Sequence, residues 1–101
     1  MPARRELDSA PARITAMQHA LSGAARASVL RHVVRHPRTS HTEIVASTGV
    51  SRGSATTALR DLERLGYLVV DGAREGRVVR YRAVDDLLAA DLDAFTDWLL
   101  G

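Results

Sequence analysis

From Ile14 onward the apolar residues fall into blocks, each with its own period, and short polar breaks separate them. Ile14, Met17 and Leu21 are three and four residues apart, the repeat of one helix face, and Ser22-Gly23 interrupts it. Ala25, Val29, Leu30, Val33 and Val34 supply the buried stripe of a second helix over Ala24 to Arg35. It must end at His36-Pro37, because the residue before a proline is pushed out of helical geometry. Ser40 with Glu43 has the spacing of a capping box and opens a third, short helix carrying Ile44, Val45 and Ala46. Gly49 supplies the turn that closes it. Ser51 then caps a fourth helix that closes at Gly66. At about 100° per residue, Ala55, Ala58, Leu59 and Leu62 share the core face of that helix. Gly53, Thr57, Arg60 and Arg64 fall on the opposite side, flanked by Thr56.

At Tyr67 the period changes from helical to alternating. Leu68 and Val70 are expected to point one way on a first strand, Val79 and Tyr81 to share a face on a second, and Arg80 and Arg82 to point outward. The connection Asp71-Gly72-Ala73-Arg74-Glu75-Gly76-Arg77 is polar and carries two arginines. Helical spacing returns with Val84, Leu88, Leu92, Phe95 and Leu99, a stripe widened by Leu87, Ala94 and Trp98. Helix, glycine turn, helix and then a hairpin with an arginine-bearing tip predict a winged helix-turn-helix, mainly α with a small β-hairpin. Residues 1–12, with two prolines, are expected to form a flexible arm, and 13–101 a single winged-helix domain with dimerising terminal helices.

Charge sharpens the picture. The chain carries fourteen arginines and no lysine. Residues 1–82 hold all fourteen arginines against seven acids, a balance of +7, while residues 83–101 hold five aspartates and no base, a balance of −5. Such a split suits one surface built for a polyanion and a segment kept away from it. An ordinary solvated helix face would carry Glu and Lys in salt-bridge spacing, yet Asp61 and Glu63 sit off the outward stripe of the fourth helix. Threonine can bond bases or phosphates, arginine can fork onto guanine, and glycine permits close approach. The expected DNA-binding set is therefore Ser51, Arg52, Gly53, Ser54, Thr56, Thr57, Arg60 and Arg64 from the helix over 51–65, with Arg74 and Arg77 from the wing over 71–77. For the terminal helices, pairing Ile14, Met17 and Leu21 of one chain with Leu88, Leu92, Phe95, Trp98 and Leu99 of another would bury both stripes in a homodimer. Two recognition helices would then address half-sites about 34 Å apart on double-stranded DNA.

Several motifs in order resemble ArsR-type winged-helix repressors. Leu21-Ser22 before Arg26, then Val29-Leu30, is similar to the family's opening run. Glu43-Ile44-Val45-Ala46 through Gly49-Val50-Ser51 resembles its helix-turn-helix, and Leu59-Arg60-Asp61-Leu62-Glu63-Arg64-Leu65-Gly66-Tyr67 its recognition-helix ending, with Ala58 where histidine is common. Gly76-Arg77-Val78-Val79-Arg80-Tyr81 resembles the second wing strand. MarR-type winged helices share most of these positions. The resemblance spans about residues 14–101 and implies a homodimeric transcriptional repressor on a twofold-symmetric operator. It also marks departures: Ser40 and Thr42 stand where thiolate sensors carry Cys-x-Cys, and the last helix has Asp85, Asp86, Asp91, Asp93 and Asp97 but no histidine. Zinc and cobalt prefer imidazole and thiolate, so no metal or other cofactor is expected. His32 and His36, one turn apart, and His41 could chelate an ion but lack further ligands.

Other classes are excluded on simpler grounds. The 46% hydrophobic content suits a folded globule, and no apolar run approaches the roughly 20 residues a membrane helix needs. The N-terminal stretch lacks a secretory hydrophobic region, so a cytoplasmic location is expected. The chain has no cysteine, which removes disulfides and thiol redox chemistry. No catalytic triad order or phosphate loop is present, and Gly72-Ala73-Arg74-Glu75-Gly76 joins two strands where a nucleotide fingerprint would open a helix, so no enzyme is expected. The alternative is a winged-helix protein-interaction module in which the basic face is incidental. A small-molecule effector could sit near Trp98, but no residue names one.

Overall fold

The structure is a computed structural model that describes residues 11–72 and 76–101. The arm expected over residues 1–12 lies outside it except for Pro11 and Ala12, and Arg74 of the expected wing contacts lies outside it as well. Among the described residues, five helices and three strands follow in the order α1 (Ala12–Leu21), α2 (Ala24–Arg35), β1 (Thr39–Ser40), α3 (His41–Thr48), α4 (Arg52–Leu65), β2 (Leu68–Val70), β3 (Arg80–Ala83) and α5 (Asp85–Leu100). This is a winged helix-turn-helix, as the pattern predicts.

The helix boundaries follow from local chemistry. Ser40 Oγ accepts from the Glu43 N–H while the Glu43 carboxylate accepts from the Ser40 N–H, so the capping box at α3 is complete. Gly49 ends α3 at φ 76°, a left-handed conformation that a side chain would resist. Ser51 Oγ accepts from the Ser54 N–H to start α4, and Gly66 ends it at φ 93°. α2 ends at His36, next to Pro37.

The sheet is larger than the hairpin alone. β1 pairs antiparallel with the outer edge of β3, giving the order β1-β3-β2. A strand of two residues has no alternation to read, and both Thr39 and Ser40 are buried. The chain reaches β1 through Arg38, a non-glycine residue at φ 63°. That turn is held from the wing: Arg80 Nη1 donates to the Arg38 carbonyl at 2.9 Å, and Arg38 pairs with Asp71 at 3.5 Å.

The core gathers α1, α2, α3, α4 and the base of the sheet around Met17, Val29, Val33, Ile44, Leu62, Tyr67 and Leu68. Two expectations, for Ile14 with Met17 and for Arg80, need correction here. Met17 (0% exposed) and Ile14 (4%) do not present themselves to a partner, because α1 packs on α2, α4 and α5 of its own chain. Leu68 and Val70 pair with Ala83 and Tyr81 on one face, as expected, with Leu68 buried and Val70 exposed because β2 leaves the core as it climbs into the wing. Arg80 does not point freely outward: it is half-buried, bonded to Arg38, and pairs with Glu43 at 3.6 Å. Val34 is also exposed, at the margin of the α2 stripe.

Candidate nucleic-acid interface

α4 carries its inward face on Ala55, Ala58, Leu59 and Leu62, all buried, as the periodicity predicts. Ser51, Arg52, Gly53, Ser54, Thr56, Thr57, Arg60 and Arg64 are all exposed on its other sides. Arg52, Arg60 and Arg77 have no ion pair among the described residues, so their guanidiniums are open to an external anion. Gly53 is the more telling member. A methyl group placed on it would meet no atom within 4 Å, so the fold itself does not require a glycine there. Glycine within a helix costs up to about 1 kcal/mol against alanine. Room for something outside the protein is what the missing side chain provides.

Two members of the expected set are engaged internally. The Thr56 hydroxyl donates to the Arg52 carbonyl at 3.0 Å, so His41 Nε2–H is the donor in its contacts with Thr56 Oγ1 (3.1 Å) and the Arg52 carbonyl (3.0 Å). His41, the first residue of α3, thus buckles the two helices of the motif together, a role that no feature of the sequence pattern signals. Arg64, at the far end of α4, pairs with Asp61, which also takes Arg26 of α2 at 3.5 Å. Arg64 therefore lies about three turns from Gly53 and is tied to α4's own flank.

On the wing side, Ser40, His41, Thr42, Arg77, Val79 and Tyr81 are among the residues lining a cleft of about 340 Å³ between the start of α3 and the approach to β3. Arg77 sits at its rim, exposed, close in space to the helix-turn-helix. Behind the recognition helix, Asp91 of α5 is 4% exposed and takes the Tyr67 hydroxyl at 2.8 Å and Arg13 Nε at 2.8 Å. Arg13 Nη2 also donates to the carbonyl of Leu65, the last residue of α4, at 3.1 Å. One side chain of α1 thereby joins α5 to the end of the recognition helix. Burial, then the bond to Asp91, pushes the Tyr67 pKa up to about 12. The hydrogen bond to Asp91 raises that of Arg13 against a smaller desolvation effect. Asp91, one of the five aspartates expected to keep the C-terminal segment away from a polyanion, is instead buried and bonded within the fold. It lies three residues after Leu88 and four before Phe95, on the apolar face, and that placement was the available signal.

α5 otherwise leaves Leu92, Trp98, Leu99 and Leu100 exposed, and α1 adds Leu21, while Leu88 and Phe95 pack partly onto the core. His32 and His36 stack at 4.4 Å, and no group of three or more potential metal ligands occurs among the described residues.

The MarR family model matches residues 21–77, from the end of α1 through the helix-turn-helix to the wing, more than half of the chain. The chain belongs to the MarR family. That family consists of transcriptional regulators built on winged-helix DNA-binding domains, and its fold and chemistry are not those of an enzyme. This MarR-family chain also resembles solved structures with ArsR-type names. An ArsR-like transcriptional regulator from Rhodococcus sp. RHA1 superposes with a TM-score of 0.71 at 24% identity, covering 85% of this chain and 78% of the other. A homodimeric winged helix-turn-helix DNA-binding domain from Mycobacterium bovis, a possible ArsR-family regulator, gives 0.64 at 24% identity over 97% and 87%. FabT from Streptococcus pneumoniae, in complex with DNA, gives 0.54 at 20% identity over 71% and 52%. No curated protein matches the chain. Both resemblances carried by the sequence motifs are thus present, one in the family model and one in the fold.

Proposed function

We propose that this MarR-family chain is a cytoplasmic, homodimeric repressor that reads a twofold-symmetric operator. The observation that carries the reading is the exposed α4 face of Arg52, Gly53, Thr57 and Arg60, with open guanidiniums and a glycine the fold does not need. Arg52, Gly53 and Ser54 in the first turn approach the major groove, Thr57 and Arg60 address base edges, and Arg77 with Arg74 reaches the backbone or narrow minor groove. Ser51 and Thr56 shape the helix start and add phosphate contacts at its margin. Arg64, paired with Asp61, contributes charge at most.

The exposed apolar side chains Leu21, Leu92, Trp98, Leu99 and Leu100 support dimerisation through α1 and α5 within the domain 13–101. The homodimeric state of the Mycobacterium bovis domain is consistent with it. Selection from a random duplex pool, with affinity followed across salt, tests the reading. An inverted repeat with half-site centres about one helical turn apart supports it. Recovery of no motif, with binding that vanishes at moderate salt, removes it and turns attention to a protein partner of α5.

A further inference from the structure

The arginines divide by what they touch. Among the described residues, Arg13, Arg26, Arg38, Arg64 and Arg80 each have a carboxylate partner. Arg31, Arg35, Arg52, Arg60, Arg77 and Arg82 make no ion pair among the described residues, and the last four belong to α4 or the wing. Arg31 and Arg35 remain unexplained. They are exposed, one turn apart on α2, and line a groove of about 270 Å³ between α2 and the end of α3. Ser28, His36 and Ser47 share its walls, and no carboxylate does. The chain has no acid at all between Asp8 and Glu43.

The fold draws little from this arrangement. Like charges four residues apart weaken a helix by a few tenths of a kcal/mol. Arg35, in the last turn, gains something from the helix dipole, whereas Arg31 stands a turn earlier, where that effect has faded. Two guanidiniums beside serine hydroxyls are what phosphate oxygens require. Placement identifies the phosphates. Thr48, on the same groove, ends α3, and Gly49-Val50 lead directly to Ser51, the cap of α4. At its other end α2 lines a second groove, through Ala25 and Arg26, with Gly53, Ser54 and Thr57. α2 is therefore one bank of the helix-turn-helix, and the Arg77 cleft is the other.

We propose that the outer face of α2 is a second DNA-backbone contact, in which Arg31 and Arg35 hold phosphates flanking the bases addressed by α4. This rests on the DNA-binding reading above and extends its footprint. About 6 Å of helix axis separates the two arginines, enough for each to take its own phosphate.

The test compares R31Q/R35Q with wild type on the selected operator, trimmed to the recognised bases or extended by several base pairs at each end. Wild type should bind the extended duplex more tightly, and the variant should lose that gain with its base preference unchanged. Two lost phosphate contacts lower the salt slope by about 1.8 per protomer, about 3.6 for a dimer, so that between 50 and 200 mM salt the dimeric variant loses about 150-fold less affinity than wild type. Equal affinity and slope for the two proteins on the extended duplex overturns the α2 contact and leaves the operator reading standing. An equal loss on trimmed and extended duplexes also overturns it. So does saturable binding of inorganic phosphate, abolished in the variant, with duplex affinity unchanged, which would make the groove a small-anion site. If wild type selects no motif and binds no duplex, both readings fall together.

Discussion

Gly53→Ala should make this protein more stable and worse at binding its operator. The added methyl meets nothing within 4 Å, and Gly53 sits in helical backbone, so the native state accommodates alanine without strain. Alanine also restricts the unfolded chain, and unstrained replacements of this kind stabilise by about 0.4–1 kcal/mol. For a domain of this size that corresponds to roughly 2–6 °C in Tm. Against DNA the sign reverses. If the bare Cα permits close approach to the groove, the methyl must displace either the duplex or α4. Overpacking of one methyl costs about 1–3 kcal/mol, roughly a 5- to 100-fold loss of affinity. Thermal melting at fixed protein concentration and fluorescence anisotropy on the selected operator read the two effects separately. A stabilised variant with undiminished operator affinity would refute the reasoning, because Gly53 would then face solvent in the complex.

Arg60→Ala should weaken operator binding by about 1–3 kcal/mol and relax the preference at one base position, measured by competition among single-base operator variants. Leu99→Asp should yield a folded monomer in sedimentation, since Leu99 is 61% exposed in the single chain; a dimer of unchanged affinity would place the interface elsewhere. Asp91→Ala should cost about 2–3 kcal/mol in denaturant unfolding, because it strands the buried Tyr67 hydroxyl; Tyr67→Phe should then cost less in that background than in wild type, and strict additivity would deny the coupling. Burial, and after it the nearby His36, lowers the His32 pKa below 6.5, so as pH falls the unfolded chain takes the proton first. Stability should be full above about pH 6.5 and decline as pH drops through the folded value, and His32→Gln should flatten that decline in unfolding measured across pH.

Much of the fold was legible because its signals are local. The capping box at Ser40, the cap at Ser51 and the stops at Gly49 and Gly66 each depend on residues within a turn of one another, and all four occur as read. The α4 stripe was legible for the same reason: a helix of fourteen residues has a period long enough to separate its faces. What escaped was long-range. β1 forms only because β3, some forty residues later, offers an edge to Thr39 and Ser40. The Thr39 hydroxyl donates to Glu43, which makes His32 Nε2–H the donor to Thr39, and this chain across α2, β1 and α3 has no sequence period at all. Ile14 and Met17 show the converse error. Their spacing correctly gave a helix with an apolar face, but a face carries no label saying whether its own chain or a second copy will cover it.

Asp91 shows how one unexpected residue changes the functional picture. Read as one of five acids in a segment kept away from a polyanion, it is in the structure the acceptor that joins α5 to α1 and to Tyr67 just after the end of α4. Arg13 grips Asp91 and also the final carbonyl of α4, while Tyr67, donating to the same carboxylate, immediately precedes the strand that climbs into the wing. Of the exposed apolar residues that support dimerisation, Leu92, Trp98, Leu99 and Leu100 follow Asp91 on the same helix. Any rotation of α5 that follows from pairing two chains must therefore either carry the end of α4 and the root of the wing with it or break these bonds. Because the carboxylate is buried, breaking them costs more than a surface ion pair would, and movement as one body is the cheaper course. In the proposed dimer, the angle between the two recognition helices would then follow α1 and α5 through the bonds of Arg13, Tyr67 and Asp91.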